Sequence, residues 1–152
     1  MTRQHAKIHP FLHAAALLEK RLESLLGSSE IRHRQALVLD VLQQIGPSSQ
    51  QHLAKQFSVS PGTMSSMISR LETLGYVQRQ TNPTDRRADV INVTSSGLAV
   101  VAGVAEIWHQ SDEVVADILG DEESEQFFAL SDKLSKALSG GPPKKTRLSD
   151  EA

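Results

Sequence analysis

Two adjacent arginines, Arg86 and Arg87, sit in a short polar run, Asn82-Pro83-Thr84-Asp85-Arg86-Arg87, between two strand-like stretches. Asn-Pro is a turn former, so the run predicts a tight connection with a cationic tip. A guanidinium projected from such a turn suits phosphate oxygens, and it suits the concentrated negative potential of a narrow A·T-rich minor groove. Upstream lies a second polar set at helical spacing: Gly62, Thr63, Ser65, Ser66, Ser69, Arg70 and Thr73. Hydroxyls donate and accept, so they can address base edges or phosphates. Pro61-Gly62-Thr63 opens this segment, where unpaired backbone N–H groups can hold a phosphate and Gly62 admits a close backbone approach. Each set also has a plain reading, because exposed serines and a charged hairpin tip are commonly just solvated.

These residues need particular elements to position them. Ser60 is a helix N-cap and Pro61 suits the first helical position, where a missing N–H costs nothing. Met64, Met67, Ile68, Leu71 and Leu74 recur on one face, and Gly75 ends the helix. Residues 76–81 and 89–94 read as strands around the arginine turn. Ahead of them, a helix from His33 to Ile45 directs Leu37, Val38, Val41, Leu42 and Ile45 inward, and Gly46-Pro47 stops it. Ser49 caps a short helix, Gln50 to Phe57, with Leu53, Ala54 and Phe57 inward, and Ser58-Val59-Ser60 turns into the next helix. Two helices across a brief turn, then a basic hairpin, predict a winged helix-turn-helix over 33–94, and with it a reader of duplex DNA. The rival reading is a winged-helix protein–protein interaction module, with the hairpin as a docking edge and no DNA readout.

The ends of the chain are helical. Ile8, Phe11, Leu12, Ala15, Leu18, Leu22, Leu25 and Leu26 form a stripe with no sequence neighbour to cover it, which marks a partner surface. After Ser95-Ser96-Gly97, a helical pattern of about six turns runs to Gly120, with Leu98, Val101, Ala105, Trp108, Val115, Ile118 and Leu119 on its stripe. Asp121 caps a last helix whose face is Phe127, Leu130, Leu134 and Leu138, and Glu122, Glu123 and Glu125 suit its N-terminal dipole. The fold class is mainly α with a small antiparallel β-hairpin wing (α+β), and the terminal helices form a dimerisation platform. Its parts are an N-terminal dimerisation helix over 1–32, the winged head over 33–94, C-terminal dimerisation helices over 95–139 and a disordered tail over 140–152.

Composition narrows the function. The net charge of −2 is unevenly spread: residues 48–94 carry 5 Lys/Arg against 3 Asp/Glu, and residues 95–139 carry 2 against 9. The acidic segment is kept away from the reading head, and contact follows the local field. There is no cysteine, so disulfides, thiolate metal sites and thiol redox sensing are excluded within this chain. No apolar run reaches the ~20 residues that span a bilayer. MTRQHAKIHP lacks a signal-peptide apolar region, so a cytoplasmic location without membrane association is expected. Gly-rich phosphate loops and nucleophile elbows are absent, which argues against an enzyme. His9 and His13 stand one helical turn apart without a carboxylate or Cys at matching spacing, so neither metal nor cofactor is expected. Trp108 has a packing reading, in the core or a dimer seam.

At these residues the chain resembles the MarR family of bacterial transcriptional regulators. The resemblance covers roughly Ile8 to Leu138. It is most specific in the -RLE--GYV-R- run from Arg70 to Arg79, the D-x-R of Asp85-Arg86-Arg87, and the -T--G- of Thr94 and Gly97. It implies an obligate homodimer joined by the first and last two helices, with one winged head per protomer on a pseudo-palindromic double-stranded operator. It implies repression, often relieved when a small phenolic or aromatic acid binds between platform and head. By that resemblance Arg87 enters the minor groove and Asp85 braces it through a carboxylate–guanidinium pair. Arg86, Thr84 and Asn82 become phosphate contacts, and Arg70 a phosphate contact or structural support, with Glu72 or the wing acid as its alternative partner. Trp108 gains an alternative role as a wall of an effector pocket with Leu12, His13, Ala16 and His109. The chain departs from many relatives at Ser66, where a long polar side chain is usual, so sequence preference shifts toward the wing and DNA shape.

Overall fold

The computed structural model describes residues 6–27, 29–81, 84 and 89–139. Along them run α1 (Ile8–Leu26), α2 (His33–Ile45), β1 (Ser48–Ser49), α3 (Gln50–Gln56), α4 (Pro61–Thr73), β2 (Val77–Thr81), β3 (Asp89–Val93), α5 (Ser95–Leu119) and α6 (Asp121–Ser139). The expected mainly helical, winged helix-turn-helix fold is present. The tail over 140–152 lies outside the described residues.

The wing is a three-stranded antiparallel sheet in the order β1-β3-β2. Its outer strand, β1, pairs Ser48 with Ile91 and Ser49 with Val90. Two serines carry no alternating pattern, so this strand leaves no trace in the sequence. β2 and β3 pair from Val77 opposite Val93 to Thr81 opposite Asp89.

The core lies in the head. Val38, Leu39, Leu42, Leu53, Met64, Ile68, Leu71 and Ile91 are fully buried, drawn from α2, α3, α4 and β3. Ser49 caps α3 by accepting from His52 N–H, and Ser60 caps α4 by accepting from Thr63 N–H. The expected inward set on α2 changes. Ile45 is exposed, Leu37 and Val41 are half-buried, and Ala36 and Leu39 join the core. α2 is packed by α1, α5 and β3 together. Its buried surface is therefore wider than, and rotated from, the single stripe expected of a helix covered on one side.

α5 begins earlier than expected. Thr94 is its N-cap, accepting from Gly97 N–H, so Ser95-Ser96-Gly97 is the first turn of the helix rather than a linker. Val101, Val104, Ser111 and Val115 are its buried side chains, while Leu98 and Ile118 of the expected stripe face solvent. The terminal helices bury little within one chain. Leu26 is the one buried residue of α1, and Ser124 the one of α6. Phe11, Leu12, Leu17, Leu130, Leu134 and Leu138 are all exposed, Leu138 to 68%.

Candidate nucleic-acid interface

α4 is anchored from below and open above. Met64, Ile68 and Leu71 are fully buried, and α4 packs on α3. The opposite face therefore points away from the core. Pro61, Gly62, Thr63, Ser66, Ser69, Arg70 and Thr73 are exposed, and Ser65 is half-buried. The hydroxyls differ in freedom. Ser60 Oγ accepts from Thr63 N–H at 3.1 Å and donates to Thr63 Oγ1 at 2.9 Å, so the Thr63 hydroxyl keeps its own proton for an outside acceptor. Thr73 donates to Ser69 O at 2.9 Å and is committed to its own helix. An added Cβ at Gly62 would meet Ser60 Oγ at 4.0 Å and nothing closer, so folding does not demand glycine there.

Arg70 is exposed and has no ion-pair partner among the described residues. Its suggested partner Glu72 is taken by Arg79, whose Nε donates to Glu72 Oε2 at 3.1 Å. In the wing, Thr84 is exposed. Asn82, Asp85, Arg86 and Arg87 lie outside the described residues.

The base of the wing is a compact hydrogen-bonded joint. Thr94 Oγ1–H donates to Gly75 O at 2.6 Å, and Thr94 N–H donates to Tyr76 O at 3.0 Å. The same Oγ1 accepts from Gly97 N–H at 3.1 Å. One threonine thus ties together the turn after α4, the approach to β2, the end of β3 and the start of α5. Gly97 is buried there, and an added Cβ would lie 2.8 Å from Val93 Cγ2 and closer still to the Tyr76 carbonyl oxygen.

A second joint links head and platform at the start of α2. Glu23 of α1 accepts from His33 N–H at 3.1 Å, filling an otherwise orphan helix-start donor. Trp108 Nε1–H of α5 donates to His33 Nδ1 at 3.3 Å, and the two rings meet edge-on with centroids 6.3 Å apart. Trp108 thereby has a polar partner that sequence reading did not supply, because the two are 75 residues apart. Beside His33 a cleft of ≈ 310 Å³ opens between platform and head, lined by Glu19, His33, Arg34, Leu37, Phe57, Val59 and Met67. Glu19 and Arg34 pair across it at 3.2 Å. Leu12, His13, Ala16 and His109, named as the pocket wall with Trp108, are exposed, and none of the five lines this cleft.

Burial lowers the His33 pKa below the ordinary imidazole value, against the pull of Glu23 and Glu19. The folded state therefore favours the neutral ring, which can accept from Trp108. The unfolded chain takes up the proton first as pH falls, so this stability is full above about pH 6.5 and is lost progressively below it. Trp108 emission is expected to titrate with His33 as pH falls below about 6.5, and His33→Phe to abolish that titration. Emission that follows the same pH course in both proteins would contradict the contact.

Among the described residues no three His, Cys, Asp or Glu side chains are gathered as a metal site requires. No described helix is long and apolar enough to cross a membrane.

An N-capped helix seated across a shorter one and followed by an antiparallel wing defines a winged helix-turn-helix protein. The model of the MarR family matches residues 31–88, from the approach to α2 to the residue before β3. Among curated relatives, a Bacillus subtilis protein described as the uncharacterized HTH-type transcriptional regulator YcgE is 40% identical over 52 residues, which is 34% of each chain. The chain thus spans about a third of that relative's length. Among solved structures, MepR of S. aureus in complex with DNA superposes with a TM-score of 0.75 at 24% identity, covering 89% of this chain and 99% of that one. BpsR of Bordetella bronchiseptica, whose DNA binding is described as regulated by 6-hydroxynicotinic acid, gives 0.79 at 21% identity over 89% and 96%. At those identities the two structures establish the shared fold.

Proposed function

We propose that this protein is a sequence-specific, double-stranded-DNA-binding transcriptional regulator. The observation that carries the reading is the two-faced α4: Met64, Ile68 and Leu71 are fully buried, and a hydroxyl-rich face with Pro61, Gly62, Thr63, Ser66, Ser69 and Arg70 is open beside the wing. That face enters the major groove, and the N-terminus of α4 holds a phosphate through its free N–H groups. Ser65 takes part from the half-buried edge. Thr84, Arg86 and Arg87 work from the wing, with Asp85 bracing Arg87.

The protein acts as a homodimer. The exposed apolar side chains of α1 and α6 support this, since a stripe such as Leu130, Leu134 and Leu138 is costly to leave in water. Two heads place the half-site centres roughly 34–36 Å apart, one turn of duplex. The regulator is a repressor, released by a small aromatic or phenolic acid. BpsR and its hydroxynicotinic acid support that ligand class. The proposed pocket wall remains Leu12, His13, Ala16, Trp108 and His109, joined to the head–platform cleft through the Trp108–His33 bond.

A mobility-shift titration against the DNA upstream of the protein's own coding region tests the reading. A retarded complex of one dimer per site is expected, outcompeted by the same duplex and not by a scrambled one. Equal competition by both duplexes would remove sequence-specific readout.

A further inference from the structure

We propose that Arg79 is a positioning residue that brackets the wing to both helices of the helix-turn-helix, and so sets the angle at which wing and α4 meet DNA. This rests on the DNA-binding reading above. Arg79 lies in β2, two residues beyond the buried Val77 and therefore on the same face of the sheet. Its register partner is Ile91, which is fully buried. Val77 is the single buried residue of β2, and Gln78, Arg79, Gln80 and Thr81 are all exposed. Apart from its ladder to β3, the outer half of this strand thus has no apolar anchor.

Arg79 supplies the missing tie. Its Nε donates to Glu72 Oε2 in the last two turns of α4 at 3.1 Å, and its Nη1 donates to Gln50 Oε1 at the first position of α3 at 3.3 Å. One planar guanidinium thus addresses two helices from one strand. The separate donors of the fork allow it, and a lysine, as a point charge, cannot reproduce both bonds in that geometry. The charge of Arg79 is answered within the head by Glu72. Its part in DNA recognition is therefore geometric, unlike that of Arg70, which has no ion-pair partner among the described residues. Arg79 keeps 32% side-chain exposure and Glu72 43%, and ion pairs this open add little to global stability. Removing the bracket is expected to loosen the wing without unfolding the protein.

The experiment compares Arg79→Ala, Arg79→Lys and the charge swap Glu72→Arg/Arg79→Glu in the full chain, by two readouts. The first is amide hydrogen exchange in β2 and β3 without DNA. The second is affinity for the upstream duplex. Arg79→Ala is expected to speed exchange in β2 and to weaken DNA binding about tenfold, in the range by which neighbouring side chains couple. Arg79→Lys should fall between it and the wild type. The swap, which restores one ion pair with reversed polarity, should regain most of the exchange protection and much of the affinity. Arg79→Ala that loses affinity with unchanged exchange, or a swap that binds more weakly than Arg79→Ala, would overturn the bracket, because both outcomes belong to an arginine touching phosphate directly. Unchanged exchange in every variant would overturn it too. Failure of the wild type to bind DNA would strike the functional reading instead, and the exchange data would still judge the bracket.

Discussion

Gly97→Ala is expected to destabilise the protein by about 2–3 kcal/mol, the cost of forcing an extra methyl group into a packed site. In an open helix the same change would help, since alanine gains up to about 1 kcal/mol over glycine. Here the sign reverses because the new methyl would run into the Tyr76 carbonyl and Val93 Cγ2. A backbone carbonyl cannot rotate out of the way as a flexible side chain can. Relief has to come from moving the first turn of α5 away from the wing, and that would strain the Thr94 bonds to Gly75 and Tyr76. The lesion should therefore show as a lower urea midpoint and as faster amide exchange around Tyr76 and Thr94. An alanine variant as stable as the wild type would show that the joint yields more readily than its geometry implies. Gly103, in the same helix, is a built-in control. A Cβ there meets nothing within 4 Å, so Gly103→Ala should be neutral or mildly stabilising.

Arg87→Ala is expected to remove most operator affinity while leaving folding and dimerisation intact. Loss of one well-placed arginine contact costs about 1–3 kcal/mol per site, and the proposed dimer would present the residue twice. If the guanidinium lies in a narrow minor groove, the loss should be larger on A·T-rich flanks than on G·C-rich ones. If Asp85 braces that arginine as proposed, Asp85→Ala should weaken binding by a smaller factor, since the guanidinium is still present. Undiminished binding by Arg87→Ala would shift the weight to the hydroxyl face of α4. It would also strengthen the rival view of the wing as a protein-docking edge.

The elements were legible where local chemistry decides them. Ser49 and Ser60 cap their helices as hydroxyl residues before a helical period do, and Pro61 takes the first position of α4. Met64, Ile68 and Leu71 went inward because their spacing leaves no other common face. What was not legible depends on residues distant in sequence. Ser48–Ser49 becomes a strand only because Ile91 and Val90 lie alongside. Ile45 faces solvent and Leu39 does not because α1, α5 and β3 together set the orientation of α2. Glu72 was read beside Arg70, its neighbour in the chain, whereas the strand returning from the turn at Gly75 delivers Arg79 to it. Thr94 and Gly97 were visible as a pattern. The reason for the pattern, a carbonyl and two strand ends crowded against α5, appears only in three dimensions.

The most direct test of the central claim is the affinity of the wild-type protein for its upstream duplex, measured over a series of salt concentrations with a scrambled duplex alongside. Phosphate contacts release condensed counterions, so log K should fall linearly with log salt, by roughly 0.9 per contact. The upstream duplex should stay the preferred one throughout. A salt response near zero, or no binding to either duplex at low salt, would contradict the assignment of this head to DNA.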